Sequence, residues 1–389
     1  MYAGELIFAQ LMEFLPRHAF NACVRRYQGE RRVREFSCRD QFLCMAFAQL
    51  TGRESLRDIE TCLRAMASKL YHAGFRSRIA RSTLADANER RDWRIYADLA
   101  QILIKRARQL YAHESFGVEL DAAAYALDSS IIELSLGLFP WAHSQRDKAA
   151  IKLHTLLDLH GNIPTFARVS SAKTSDSAML DELLIEPGAY YILDRGYNDF
   201  GRLYRLNQAG AFFVVRVRKN ITFRRQRSQK IDRATGLRCD QVVLFRDRRT
   251  HAKYPQQLRR INFVDFATRR RFRLLTNDFT LNALSVPQLY RCRWQIELFF
   301  KWVKQHLRIR RFLGQSPNAV KTQIWIAVTV YVLVAIMKRE LRLQRSSYEI
   351  LQILSVTLFE KEPLFPVLSQ RIVPNLNPSS PNQLPLFDF

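Results

Sequence analysis

Cysteine pairs, long apolar runs and acidic residues are all scarce in this chain, and each shortage excludes something. The six cysteines, Cys23, Cys38, Cys44, Cys62, Cys239 and Cys292, form no C-x-x-C pair and have no histidine at ligand spacing, which argues against a zinc site. A disulfide framework is equally out of keeping with a chain of 389 residues. The longest apolar run, Ile324 to Met337, falls short of a bilayer crossing and reads as a buried helix. Met1 to Leu15 has neither a basic start nor a long apolar core, so no signal peptide is read there. Against 61 Lys and Arg stand only 36 Asp and Glu, a formal charge of +25. That imbalance points to a polyanionic partner, nucleic acid first and an acidic membrane surface second. The cations are spread among aromatic and apolar residues, as in Arg216-Val-Arg-Lys219 and Arg269-Arg-Arg-Phe-Arg273, so they belong to folded surfaces rather than to one disordered block. A cytoplasmic location with access to DNA fits all of this.

What is present is a 48% hydrophobic chain long enough for two or three substructures. Residues 1–115 read as mostly helical, with Ser37-Cys-Arg-Asp40 opening a helix through Leu50, a turn at Thr51–Ser55, a second helix from Leu56 to about Lys69, and Ser82-Thr83 as an N-cap with Asp86 at capping-box distance. Short basic helices around a Gly-containing turn suggest a helix-turn-helix-like DNA-binding region, although ordinary helical packing gives the same pattern. Residues 116–218 turn to β-prone runs at Tyr125–Asp128, Ile151–Leu159, Ile163–Val169, Tyr190–Asp194 and Phe212–Val217. His160-Gly-Asn162 signals a hairpin, and Ser175–Leu184 a short helix with Met179, Leu180, Leu183 and Leu184 on one face. Strand, hairpin, third strand, helix, fourth strand is the order of a ribonuclease H-like α/β core. Residues 219–284 form a β-rich insertion with strands near 241–245, 260–265 and 271–276; residues 285–315 carry a helix that returns to the core; residues 316–389 are helical and end in a Pro-, Asn- and Ser-rich tail from Pro374, poorly ordered by composition.

Two apolar strands each end in aspartate, Asp128 in Tyr-Ala-Leu-Asp-Ser-Ser and Asp194 in Tyr-Ile-Leu-Asp-Arg-Gly-Tyr. Taken singly, each is as readily a turn residue. In a ribonuclease H-like sheet the first and fourth strands are neighbours, so the two would meet. In the run from Tyr290 to Lys304, residues Tyr290, Arg293, Glu297 and Lys304 share one face at about 100° per residue, beside the apolar Ile296, Phe299, Phe300 and Val303. The plain alternative is a surface helix with Glu297 paired to Lys301. Three carboxylates without Cys or His suit a hard cation, Mg²⁺ or Mn²⁺. His143, His154 and His160 match no ligand set, Asp147 and Asp158 read as loop or strand-end residues, and Ser129 and Ser130 lack a nucleophile elbow.

Leu-Asp128-Ser-Ser, Leu-Asp194-Arg-Gly-Tyr and Tyr290-x2-Arg293-x3-Glu297-x6-Lys304, in that order, resemble the motifs of DDE transposases of the insertion-sequence-four family, over about Phe36 to Phe359. The resemblance implies a ribonuclease H-like core interrupted by a β insertion, with Asp128, Asp194 and Glu297 holding two Mg²⁺ ions, for which Mn²⁺ can substitute. By the same resemblance Tyr290, Arg293 and Lys304 would grip phosphates, with Arg195 and Tyr197 adding contacts. An aromatic of the insertion would hold an unstacked base; Phe245, Tyr254, Phe263 and Phe266 are the candidates, core packing being the ordinary role of each. The implied protein is a bacterial, cytoplasmic enzyme, on the nucleoid when bound, that acts as a homodimer on double-stranded DNA, binding the terminal inverted repeats of its element and cutting and joining strands. A nuclease of the same fold that does not join, and a non-catalytic DNA-binding regulator, are the alternatives.

Overall fold

Ala124 and Ala126 bury on one face of strand β1 (Ala124–Leu134), Tyr125 and Leu127 on the other, the pattern of a strand covered on both sides. The computed structural model describes residues 4–134, 139–142, 149–306 and 312–369. His143, Asp147 and the tail from Pro374, singled out above, lie outside them. Strands β2 (Ala149–Asp158) and β3 (Ile163–Ser171) pair antiparallel beside β1, whereas β4 (Tyr190–Leu193) and β5 (Phe212–Arg216) continue the sheet in parallel on its other side. The β2–β3 turn needs its glycine, because Gly161 has φ +74° and a Cβ there would stand 2.2 Å from the Tyr111 ring.

The insertion is not a detached subdomain. Its strands β6 (Phe223–Ser228), β7 (Leu237–Phe245), β8 (Leu258–Val264) and β9 (Arg271–Thr276) extend the same sheet, with β9 against β5, giving the nine-stranded order β3-β2-β1-β4-β5-β9-β8-β7-β6. Strand β6 escaped the sequence reading because Arg224, Arg225 and Arg227 are exposed there, as befits an edge strand kept from pairing by charge. The buried Arg259 grips Asp240 with two bonds of 2.9 and 2.8 Å and ties β8 to β7.

Among the described residues seven helices precede the sheet: α1 (Ile7–Glu13), α2 (Arg17–Arg26), α3 (Cys38–Thr51), α4 (Leu56–Ala65), α5 (Ala67–Leu70), α6 (Arg81–Arg90) and α7 (Arg94–Tyr111). Ser37 and Asp40 form the capping box that starts α3. Ser82 and Thr83 are not caps: α6 already begins at Arg81, and Asp86 pairs instead with Arg90 at 2.7 Å, one turn on. Helix α8 (Phe200–Gln208) lies between β4 and β5 and α9 (Arg248–Lys253) between β7 and β8; after β9 follow α10 (Ser285–Cys292), α11 (Trp294–His306), α12 (Pro317–Glu340), α13 (Ser347–Thr357) and α14 (Leu364–Ser369).

Helix α12 contains the apolar run Ile324–Met337 and is buried along almost all of it, packed on α7, α3 and α6. Its start is set by Ser316, whose hydroxyl accepts from the Ala319 amide at 3.1 Å, with proline at the first helical position. The N-terminal helices, α12 and one face of the sheet share a single hydrophobic cluster, while α8, α9 and the segment 176–183 cover the other face. That segment holds a short 3₁₀ helix, Asp176–Asp181, and Leu184 beyond it is 97% exposed rather than part of the buried face.

Candidate active site

Because β1 and β4 pair in parallel with Leu127 opposite Leu193, the aspartates that follow, Asp128 and Asp194, stand at neighbouring positions. Both continue the alternation that faces α10 and α11. The continuous helix expected from Tyr290 to Lys304 is divided at Arg293, where bonds from the Arg293 amide to Tyr290 and from the Ile296 amide to Arg293 span three residues rather than four. The division swings Arg293 inward. Its guanidinium donates to Asp128 Oδ2 at 2.6 Å and to Glu297 Oε1, and only 14% of the side chain is exposed. The Tyr290 hydroxyl donates to Asp194 Oδ1 at 2.8 Å. Tyr290, Arg293 and Glu297 thus join both aspartates in one network, while Lys304 lies exposed on α11 without an ion pair among the described residues.

Burial pushes the Asp128 carboxyl up to about 6; Arg293 and the Ser129 amide pull it down, and the charges of Asp194 and Glu297 push it further up. Asp194 goes the other way. Burial raises it, but donation from the Arg195 amide and Tyr290, with the nearby charges of Arg293 and Arg216, leaves it below the ordinary carboxylate value. Burial and Asp194, against a smaller opposing pull from Arg293, raise Tyr290 to about 12, so it remains a donor. Arg293, penalised by burial, is nevertheless held firmly charged by Asp128, Tyr290, Glu297 and Asp194.

Among the described residues no three His, Cys, Asp or Glu side chains stand as a ready ligand set for a metal ion. The donors nevertheless fit a hard cation. Three half-buried carboxylates repel one another, Arg293 supplies the positive charge between Asp128 and Glu297, and its own Nε has no hydrogen-bond partner.

Other residues singled out by sequence are sorted by burial. Tyr197 is buried, so it offers no surface contact, whereas Arg195 is exposed beside Asp194. Phe245, Tyr254 and Phe263 are core residues, and of the four candidate aromatics only Phe266 is exposed, at 58%, with Arg238 over its ring. His160 packs on Phe116 and pairs with Asp158; buried His154 bonds Ser170 and is driven down to about 4 by burial. Sequence reasoning missed a cavity of about 500 Å³ next to Asp194, lined by Arg195, Arg216, Lys219, Arg238, Arg271 and Arg273 with no carboxylate. Its signal was there in the arginine runs, but only pairing of β5, β9, β8 and β7 collects them.

Residues 120–333 match the family model described as a transposase DDE domain, and residues 3–76 one described as a domain of unknown function (DUF4372). A putative transposase, y4zB, of Sinorhizobium fredii is 32% identical over 310 residues, covering 77% of this chain and 84% of that protein. The putative transposase for insertion sequence element IS4SA of Synechocystis is 23% identical over 290 residues, 72% of this chain and 77% of its own length. Among solved structures, piggyBac transposase in a synaptic complex with hairpin DNA is similar in fold, with a TM-score of 0.50 at 10% identity over 90% of this chain and 79% of that one.

Proposed function

The chain belongs to the DDE transposase family, and on that premise we propose that Asp128, Asp194 and Glu297 are the residues that hold divalent cations for cutting and joining DNA. The observation that carries this reading is the meeting of Asp128 and Asp194 side by side, just past the last paired residues of the parallel strands β1 and β4, with Glu297 linked to Asp128 through Arg293. Two Mg²⁺ ions, or Mn²⁺ in their place, would supply Lewis acidity to the attacking and leaving oxygens of an in-line displacement at phosphorus.

The chain's own groups do the rest. Tyr290 fixes the orientation of Asp194, and the Ser129 amide that of Asp128. Burial of the centre lowers its effective dielectric and strengthens every charge interaction in it. Lys304 and Arg195, both exposed, offer phosphates a point charge and a planar fork. Tyr290 and Arg293 reach phosphate only by releasing the carboxylates they hold. The substrates are the terminal inverted repeats of the element and then target DNA, with water as the first nucleophile and the freed 3′-hydroxyl as the next. Two copies would engage the two ends, in the cytoplasm and on the nucleoid. DNA contact by the N-terminal helices is supported by the exposure of Arg57 and Arg64 on α4.

Purified protein given labelled element ends and Mg²⁺ should nick them, and a target plasmid should receive the cut ends. Asp128→Asn, Asp194→Asn and Glu297→Gln are each expected to slow cleavage by about 10³-fold or more while DNA affinity stays within a few-fold. Cleavage at the parental rate by any of them removes that residue from the centre.

A further inference from the structure

The mechanism above leaves one well-connected acid unused. Asp176 opens the short 3₁₀ helix on the face of the sheet opposite α10 and α11. Its Oδ1 accepts from the Ser129 hydroxyl at 2.6 Å and from the Lys152 ammonium at 3.0 Å. Lys152 is itself buried and also donates to the Thr174 carbonyl at 2.8 Å, which fixes the ammonium that fixes Asp176. The other oxygen, Oδ2, lies against Gly196, where an added Cβ would stand only 3.2 Å away. Ser129 follows Asp128 directly, and Gly196 comes two residues after Asp194. A single carboxylate therefore holds the residue next to one aspartate and packs on the backbone just past the other.

This arrangement has a mechanical reading. Strand β1 ends its pairing with β4 at Leu127 and Leu193, so no β1–β4 ladder bond fixes the separation of the two aspartates beyond that point. Arg293 engages Asp128 from the α11 side, and Asp176 engages Ser129 from the opposite side. A cation shared by two carboxylates demands their placement to about 0.5 Å. We propose that Asp176 is a positioning residue that sets the spacing of Asp128 and Asp194 through Ser129 and the Gly196 backbone, without itself touching ion or DNA. The proposal rests on the reading of Asp128 and Asp194 as the cation-holding pair.

The test uses the full chain, Mn²⁺ alone as the probe, and two readouts: Mn²⁺ affinity by electron paramagnetic resonance, and hydrogen exchange of the peptides spanning 126–134 and 193–199. Asp176→Ala is expected to weaken Mn²⁺ binding about tenfold or more and to speed exchange in both peptides. Asp176→Asn keeps an oxygen for Ser129 and should recover most of both. Ser129→Ala, which removes one hydroxyl, should weaken binding in the same direction and carries the test should Asp176→Ala fail to fold. Wild-type affinity and exchange in Asp176→Ala, or in a folded Ser129→Ala where that variant carries the test, overturn the proposal. So does an Asp176→Asn variant as weak as Asp176→Ala, because the charge would then act on the ion directly. Asp128→Asn and Asp194→Asn are run alongside. If they bind Mn²⁺ like the wild type, the cation-site reading fails and this proposal with it; if they lose Mn²⁺ while Asp176→Ala does not, only the positioning role fails.

Discussion

Arg293 shows how far a side chain's role depends on its neighbours. By sequence it is a cation at helical spacing from Glu297; in the folded protein it is the counter-charge of a buried acidic centre. The balance it strikes is incomplete, since Asp128 still sits at about 6 instead of 3.8. A carboxyl raised on folding stabilises the native state only while protonated. Below pH 3.8 both states carry the proton, between 3.8 and about 6 the unfolded chain releases it first, and above 6 the whole cost is present. The shift corresponds to about 3 kcal/mol at 1.36 kcal/mol per unit. Asp128→Asn should therefore melt higher than the wild type at pH 7.5 in EDTA, with the gap closing by pH 4. Parallel melting curves at both pH values would contradict the raised carboxyl. The aspartates themselves were legible in the sequence because each ends an apolar run; Asp176 was not, because nothing local separates an aspartate that caps a turn from one that pins a strand 47 residues away.

Among the elements, strands were easier to read than caps. Apolar β-branched and aromatic runs located β2 to β5 and β7 to β9 within a few residues, since burial on both faces leaves little choice of composition, whereas β1, expected to end at Asp128, runs on through the more polar Ser129–Leu134, held there by its pairing with β2. Strand β6 was hidden by its arginines, and the break between α10 and α11 by an uninterrupted helical period. The insertion joins the main sheet through β5 and β9, but its own strands lean on the buried Arg259–Asp240 pair. Removing one partner of such a pair strands the other charge. Arg259→Ala is expected to destabilise the protein by about 3–5 kcal/mol, whereas Arg90→Ala, breaking an exposed pair on α6, should leave the melting temperature nearly unchanged. Equal melting shifts for the two variants would show that burial does not set the cost.

For the whole molecule, the N-terminal helices and α12 bury the same apolar surface, so the segments separated in the sequence reading as 1–115 and 316–389 form a common core. A chain beginning at residue 116 should aggregate or melt without cooperativity, because α12 would lose its contacts with α7, α3 and α6. A soluble fragment with a sharp transition would contradict that dependence. The net charge acts at the same scale. With +25 spread over folded surfaces, DNA affinity should fall about 10³-fold or more between 50 and 200 mM salt if six or more phosphates are neutralised. A shallow slope in a filter-binding or anisotropy series would mean that the charge is not at the interface.

By itself the sequence pointed to a polyanionic partner, to the order of the core strands and to three candidate acids, because net charge, apolar periodicity and the ends of apolar runs are local or summed properties. Only the tertiary structure decided which groups meet: Arg293 between Asp128 and Glu297, Tyr290 on Asp194, Asp176 behind both strands, and the arginines of three strands around one cavity. Those pairings depend on register and on which face of the sheet each helix covers, and both are set by long-range packing that no neighbouring residue encodes.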